Sequence, residues 1–407
     1  MTKDELRQRI YEKLDTNRDM SDEEIRDQIE EELSDYSKTS GLSLTEREQA
    51  AHELFDSLRK LDILQQLVDD ETITEIMING PDHIFYEKEG ELFEWDRHFG
   101  SKERLEDVIQ QIVGVTNRVV NEASPIVDTR LKSGERVNVV LSPVSLDGSA
   151  VSIRKFPKDP MTFDRLLKYH SVSEEIVQFL KILVSARYNI FISGGTGSGK
   201  TTVLNALSNF IPSDERIITI EDSAELQIRG VKNLVRLETR NANMEGVKPI
   251  TIRDLIRSAL RMRPDRIIVG EVRGGECLDV LQAFNTGHDG SISTGHANSC
   301  RDMLSRLETM VLMGMELPLP AIRSQIASGI DILVHLGRLR DRSRKFLDVC
   351  ELDGIQDGEV HLNPIYHFEE LGEEGGKIRG RWVRCGDLKA TAKLLAAGFH
   401  EKEVGNS

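Results

Sequence analysis

Between Gly194 and Thr201 the chain reads Gly-Gly-Thr-Gly-Ser-Gly-Lys-Thr, a fit to G-x-x-x-x-G-K-[ST]. The apolar run Ile190-Phe191-Ile192 leads into this stretch and a helix-compatible run, Thr202–Asn209, leaves it, so the expected local order is strand, loop, helix. That order has a chemical meaning. Glycines at 194, 195, 197 and 199 allow the backbone positive φ and bring N–H groups up to an anion with no Cβ in the way. The following helix aims its positive end at the same point. Lys200 can reach the β- and γ-phosphates of a triphosphate, and the Thr201 hydroxyl can become a ligand of Mg²⁺. The cradle read from the motif is Gly194, Gly195, Thr196, Gly197, Ser198, Gly199, Lys200, Thr201 and Thr202.

Acidic groups follow at places where strands should end. In an open α/β sheet the carboxyl ends of the strands line the ligand crevice, so side chains there can reach a nucleotide. Ile217-Ile218-Thr219-Ile220 runs into Glu221 and Asp222 and continues to Glu225. Carboxylates so placed can hold Mg²⁺ through water or activate a water for in-line attack. Ile267-Ile268-Val269 ends in Gly270-Glu271, a metal-binding strand in which Gly-Glu replaces the expected Asp. Two histidines, His288 and His296, each follow a glycine within one short segment. An imidazole at a strand end could sense a γ-phosphate or orient a carboxylate, although a lone histidine is more often structural, and chemistry alone leaves both readings open. Phosphoryl transfer also needs positive charge. Arg130, Arg136 and Arg154 upstream, and Arg257, Arg261, Arg263 and Arg273 downstream, are candidates against the ordinary reading of a solvated surface charge.

The elements that must position these groups follow from periodicity. Residues 1–40 carry 13 acidic and 7 basic residues, with a capping-box start at Ser21-x-x-Glu24 and Ile25, Ile29 and Leu33 at spacings of four. They read either as a helical appendage or as a solvated tail. A second box, Ser43-x-x-Glu46, opens a helix with Leu54, Leu58 and Leu61 on one face. Short β-rich pieces then flank a helical stretch over 101–121: 73–79, 84–87, 92–95, 126–131, 136–141 and 150–156. The span 45–156 is accordingly an expected α+β domain, 157–165 a linker, and Pro157–Pro160 a hinge, since proline fixes φ and removes a donor. From 166 to 407 strands and helices alternate, which implies a mainly parallel sheet covered by helices. The helix after the loop, about 11 residues, spans roughly 16 Å, which matches a five-residue strand and suggests one βαβ unit over Ile190–Ile220. Ile332–Leu336, Phe346–Glu351 and Val360–Tyr366 read as further strands at the sheet edge, and Leu388–Ala397 as a closing helix in a glycine- and charge-rich tail.

At 407 residues the chain can hold two or three domains, each with its own core. The net charge of −16 argues against a protein that grips nucleic acid by its bulk field. Cys277, Cys300, Cys350 and Cys385 show neither C-x-x-C spacing nor a nearby histidine pattern, which disfavours zinc and disulfide frameworks and fits a reducing compartment. Met1–Asp15 is charged throughout and no run of about 18 apolar residues occurs, so the expected location is cytoplasmic, with membrane contact only through partners.

Taken together, the motifs resemble the secretion-superfamily ATPases that drive type II and type IV secretion and type IV pili. The resemblance spans about Ile73 to Leu336 and is nearest the CpaF/TadA type of the tight-adherence pilus. It rests on SGGTGSGKTT (193–202), TIEDSAELQ (219–227), RLET (236–239), TIRDLIRSALRMRPDRIIVGEVRGGE (251–276), NTGHDGSISTGHANS (285–299) and SRLETMVLMGMELP (305–318). The resemblance implies a RecA-like P-loop domain behind the α+β domain, with ATP and Mg²⁺ held between them in a homo-hexameric ring. It also implies that Glu225 polarises water with Glu221 and Asp222 in support, that Glu271 lies on the metal side, and that His296 is the histidine of the family's box. Arg130 in VDTR, Arg136 in GERV and Arg154 in SIRKF become clamps on the γ-phosphate. Gly295 stands where the family usually has a bulkier residue, which implies a less tightly held His296. The implied function is a motor that works on an inner-membrane platform protein to assemble a pilus or secrete protein, with no direct nucleic-acid contact. Retraction, DNA transfer and a nucleotide-gated scaffold without turnover are the alternatives.

Overall fold

Each helix of the amino-terminal pair begins where a serine can cap it. In the computed structural model, which describes residues 21–40, 43–88, 90–116, 118–155, 161–240 and 248–405, Ser21 and Ser43 open helices α1 (Asp22–Ser40) and α2 (Leu44–Arg59). Glu24 N donates to Ser21 Oγ while Ser21 N donates to Glu24 Oε2, and Ser43 and Glu46 repeat the exchange. The narrow apolar stripe of α1 is buried: Ile25, Ile29 and Leu33 pack with Ala50, Leu54 and Phe55 of α2. Within residues 21–40 this favours a packed helix over a solvated tail; the rest of the 1–40 segment lies outside the described residues, as does the expected hinge at Pro157–Pro160.

The chain divides into two compact units, one ending at Lys158 and the other starting at Asp159. In the first, after the short α3 (Gln65–Asp69), come β1 (Ile73–Asn79), β2 (His83–Lys88), β3 (Glu91–Glu94), α4 (Lys102–Gly114), β4 (Ile126–Arg130), β5 (Arg136–Val140) and β6 (Ala150–Arg154). The strands form one antiparallel sheet in the order β3-β2-β1-β6-β5-β4. Alternation decides its faces. Ile76, Ile78, Val137, Val139, Val151 and Ile153 share a core with Leu105, Val108, Ile109 and Ile112 of α4. The helical pattern expected over 101–121 stops at Gly114: glycine weakens a helix, the β-branched Val115 and Thr116 follow, and the Thr116 hydroxyl takes the Val113 carbonyl.

The second unit contains α5 (Phe163–Lys168), α6 (Glu174–Ser185), β7 (Ile190–Gly194), α7 (Lys200–Ser208), β8 (Arg216–Glu221), β9 (Asn233–Glu238), α8 (Ile252–Ala259) and β10 (Arg266–Val272). There follow α9 (Cys277–Phe284), β11 (Ile292–Gly295), α10 (Cys300–Gly314), α11 (Leu319–Gly329), β12 (Ile332–Arg338), β13 (Arg344–Gln356), β14 (Glu359–Glu374), β15 (Lys377–Arg384) and α12 (Ala392–Ala396). The nine-stranded sheet runs β15-β14-β13-β12-β7-β11-β10-β8-β9. β12 through β9 are parallel and β13 to β15 antiparallel. Successive residues of the central strands point to opposite cores. Ile190 and Ile192 pack with α5, α6 and α7, whereas Phe191 packs with α8, α9, α10 and α11.

Two expectations about this sheet are corrected. The βαβ unit over Ile190–Ile220 does not join neighbours, because β11 and β10 lie between β7 and β8. Helix length could not show this: α7 and the residues up to Arg216 bridge three strand spacings, about 14 Å, as readily as one. β12 is also no edge strand, since it pairs β7 on one side and β13 on the other. The tail is stitched to the sheet by Glu351, a buried carboxylate that accepts the N–H groups of Lys389 and Ala390 and the side-chain amide of Asn363. Among the described residues no helix is long and apolar enough to cross a membrane.

Candidate active site

The phosphate loop leaves β7, which is buried along its whole length between β11 and β12. Its glycines are there for different reasons. Gly197 and Gly199 have φ of +70° and +98°, the left-handed region that favours glycine. Gly194 is fixed by space instead: a Cβ would stand 2.5 Å from Ser198 Oγ and 2.6 Å from the Leu336 carbonyl oxygen. Gly195 shows neither constraint, which corrects the expectation of positive φ at all four. α7 starts at Lys200, so its free N–H groups face the loop, and Thr201 and Thr202 are half-buried in its first turn. Lys200 Nζ donates to the carbonyl oxygens of Gly194 and Gly195, both at 3.1 Å. Burial pulls its pKa down and Arg273 adds to that, against the opposing field of Glu271. Ser198 Oγ is buried with no hydrogen-bond partner among the described residues.

Two strands bring side chains to this loop. β10 delivers Glu271, β11 delivers His296 just past its end, and Nδ1 of that imidazole lies 3.3 Å from Lys200 Nζ. Nε2 approaches Glu271 Oε1 to 2.7 Å, an ion-pair distance without hydrogen-bond alignment, so Oε1 stays without a donor. The other oxygen, Oε2, accepts from Arg273 at 2.7 Å. Burial first and the Lys200 charge second hold His296 below its usual 6.5, which leaves the imidazole neutral, with Nδ1 accepting from Lys200 and the proton on Nε2. Nδ1 is thereby engaged, and Nε2 stands beside the Glu271 carboxylate without a hydrogen bond to it. A Cβ at 295 would in fact press on Phe191 and Met303 at 3.0 and 3.1 Å.

Glu221 ends β8 and is 3% exposed. Its Oε2 accepts the N–H groups of Glu225 and Leu226 at 2.7 and 2.9 Å, while Oε1 has no partner. Burial raises its pKa to about 7 in spite of those two donors and of Arg236. Glu221 thus fixes the backbone of Glu225. It also explains the glycine in the Gly270-Glu271 pair, because a Cβ on Gly270 would stand 3.0 Å from Glu221 Cγ.

The profile of the type II/IV secretion system protein family matches residues 57–364, and a Mycobacterium tuberculosis protein provisionally named for conjugal transfer is 33% identical over 313 residues, covering 75% of this chain and 88% of that one. The chain belongs to the type II/IV secretion system protein family. The type IV secretion system protein VirB11 of Brucella suis is 32% identical over 306 residues, 68% of this chain and 84% of its own. Among solved structures, the Legionella pneumophila ATPase DotB shares the fold with a TM-score of 0.52 at 22% identity, over 71% of this chain and 80% of its own.

Other side chains of this family member fall into two groups. Arg130, Arg136 and Arg154 are register partners across β4, β5 and β6, so they form one row on the sheet face opposite α4, with Arg136 3.6 Å from Asp128. They lie in the first unit, and the loop residues lie in the second. His288 is not brought to the loop. It precedes β11, at the amino end of the strand, with Nδ1 3.2 Å from the Ala283 carbonyl oxygen. Arg257 is likewise directed to Asp279. Two residues at the loop had not been singled out. His335 of β12 is buried with Nδ1 2.9 Å from Ser193 Oγ, directly before the loop, and Arg344 of β13 donates from Nε to the Gly197 carbonyl oxygen at 2.7 Å. For His335 the sequence held a histidine inside an apolar run, Ile332–Leu336, which periodicity alone assigns to the core.

Proposed function

We propose that the chain is an ATP hydrolase that works as a homo-hexameric ring motor in the cytoplasm, of the CpaF/TadA type, and powers pilus assembly or protein secretion through an inner-membrane platform protein. The observation that carries the reading is the row Lys200, His296, Glu271 and Arg273 beside a phosphate loop, at the carboxyl ends of β7, β10 and β11. The residues suit ATP and Mg²⁺. Ser198 offers an orphaned buried hydroxyl, Lys200 turns its ammonium onto loop carbonyls, and Glu271 Oε1 is a hard oxygen with no donor. In this reading Gly194–Thr202 hold the polyphosphate of ATP, and Thr201 and Glu271 hold Mg²⁺. A bound Mg²⁺ supplies charge neutralisation for the transferring phosphoryl group.

The protein's own groups do the remainder. Glu225 orients the attacking water, and Glu221 holds the Glu225 backbone through its N–H. His296, neutral, accepts from the Lys200 ammonium and stands between it and the Glu271 carboxylate, spacing the two charges. Arg130, Arg136 and Arg154 are the proposed clamps on the γ-phosphate, standing in one row across β4, β5 and β6. The domain plan proposed with this reading is an appendage over 1–40, an α+β domain over 45–156, a linker over 157–165 and a RecA-like ATPase domain over 166–407.

Lys200→Ala tests the reading, with phosphate release from MgATP as the readout and Glu225→Gln alongside. The motor reading expects both to lose turnover, with nucleotide binding kept in Glu225→Gln. Wild-type phosphate release by Lys200→Ala would refute the ATPase, and Glu225→Gln protein that still supports its partner would point to a scaffold.

A further inference from the structure

β12 and β13 meet in a hairpin whose turn is closed by Leu339 N donating to Ser343 O at 2.8 Å and Arg342 N to Leu339 O at 2.9 Å. Across it the sequence Arg338-Leu339-Arg340-Asp341-Arg342-Ser343-Arg344 places arginine at every second position, in a chain of net charge −16. The middle two of the four are placed apart from the other pair. Arg340 forks onto Glu370 and Glu373, and Arg342 sits in the turn with φ of +65°.

Arg338 and Arg344 are different. They are register partners, so their side chains leave the same face of the sheet. That face is shared with Leu336 and Phe346, two positions away on each strand, which pack with Val203, Leu204 and Leu207 of α7. Both arginines are exposed, and among the described residues neither is in an ion pair. Arg344 also touches the phosphate loop. Beyond its bond to Gly197 O, its Cδ lies 3.7 Å from where a Cβ on Gly199 would stand.

Two like charges set opposite one another on a sheet repel. An unpaired couple of this kind beside an anion loop is suited to an anion. The loop moreover has two flanks: Lys200 Nζ, His296 and Glu271 stand toward β11 and β10, and the arginine couple stands toward β12 and β13. Since the lysine of this motif takes the β- and γ-phosphates, a triphosphate lying along the loop has its other end toward the couple.

We propose that Arg338 and Arg344 form a second cationic wall of the nucleotide site and hold the α-phosphate end of bound ATP. This rests on the reading of Gly194–Thr202 as a nucleotide site. Guanidinium suits the task because it presents several donors in a plane and bonds phosphate oxygens with charge assistance.

Calorimetric titration with MgATP and MgADP tests the proposal, with thermal melts of the same proteins without nucleotide. Arg338→Ala and Arg344→Ala should each weaken both nucleotides by roughly tenfold or more, ADP as much as ATP because both carry the α-phosphate. Arg338→Ala should melt no lower than wild type without nucleotide, since it removes a repulsion, and Arg342→Ala should bind as wild type does. Wild-type affinity for MgADP in both Arg338→Ala and Arg344→Ala, with binding lost in Lys200→Ala, overturns this proposal and leaves the nucleotide site standing. If wild-type protein binds neither nucleotide, both readings fall.

Discussion

Replacing Glu221 by Gln should stabilise the second unit at alkaline pH, and the size follows from its setting. The carboxyl titrates near 7 where an ordinary glutamate titrates at 4.5, because burial at the end of β8 penalises the charge more than its two N–H donors and Arg236 favour it. A folded-state pKa raised above the unfolded value means that the folded chain holds the extra proton between those two values. Stability therefore falls as pH rises from 4.5 to 7, and the penalty is complete above 7. Its size is about 3 kcal/mol at pH 8. Glutamine keeps the length and can present its carbonyl oxygen to the Glu225 and Leu226 N–H groups, while its amide nitrogen takes the place of Oε1, which has no partner already. Thermal melts of nucleotide-free protein from pH 5 to pH 8 make the comparison. The variant should gain over wild type as pH rises, reaching about 5–10 °C at pH 8 for a unit of this size. A gap that does not change with pH, or a variant that melts lower at pH 8, would refute the argument that burial of this charge dominates its setting.

Arg266 is fully buried, forks onto Glu215 at 2.6 and 2.9 Å and donates to the carbonyl oxygens of Val184 and Gly290, so Arg266→Ala should cost about 3 kcal/mol by emptying that buried site and leaving the Glu215 charge with only Arg187, at 3.3 Å; a denaturant midpoint close to wild type would contradict this. Burial holds His335 below its usual 6.5 against the pull of Asp348, the Asn298 carbonyl and Asp302, so the folded chain resists protonation and loses stability as pH falls below that value. His335→Gln should accordingly lose less stability than wild type between pH 7 and pH 5, and a slope equal to that of wild type would show that His335 does not titrate as argued.

Local chemistry was legible where a few adjacent residues decide it. The phosphate loop, the capping boxes at Ser21 and Ser43 and the acidic ends of β8 and β10 all lie where residue types and spacing put them. Order was not legible, because alternation tells which face a residue takes and says nothing about which strand is its neighbour. β10 and β11 enter between β7 and β8 through pairings made far along the chain. β15 was passed over within a tail that looked merely charged, for a related reason. It is held by its ladder to β14, by Trp382, which packs on Phe368 and donates to the Phe346 carbonyl oxygen, and by Gly380, whose missing Cβ makes room for Phe368, none of which makes an apolar run. His335 and Arg344 were hidden by distance, since each meets the loop from more than a hundred residues away.

The absent side chain at 270 has a consequence for how such sequences can change. A Cβ there would stand 3.0 Å from Glu221 Cγ, so the two positions are coupled: an aspartate introduced at 270 must push the Glu221 side chain back by a few tenths of an ångström, and a shortened 221 releases the backbone of Glu225. A lineage moving between the two arrangements would have to cross an intermediate that is either overpacked or slack. Positions 221 and 270 should therefore be varied together, save for substitutions at 221 that keep the length of the side chain, as glutamine does.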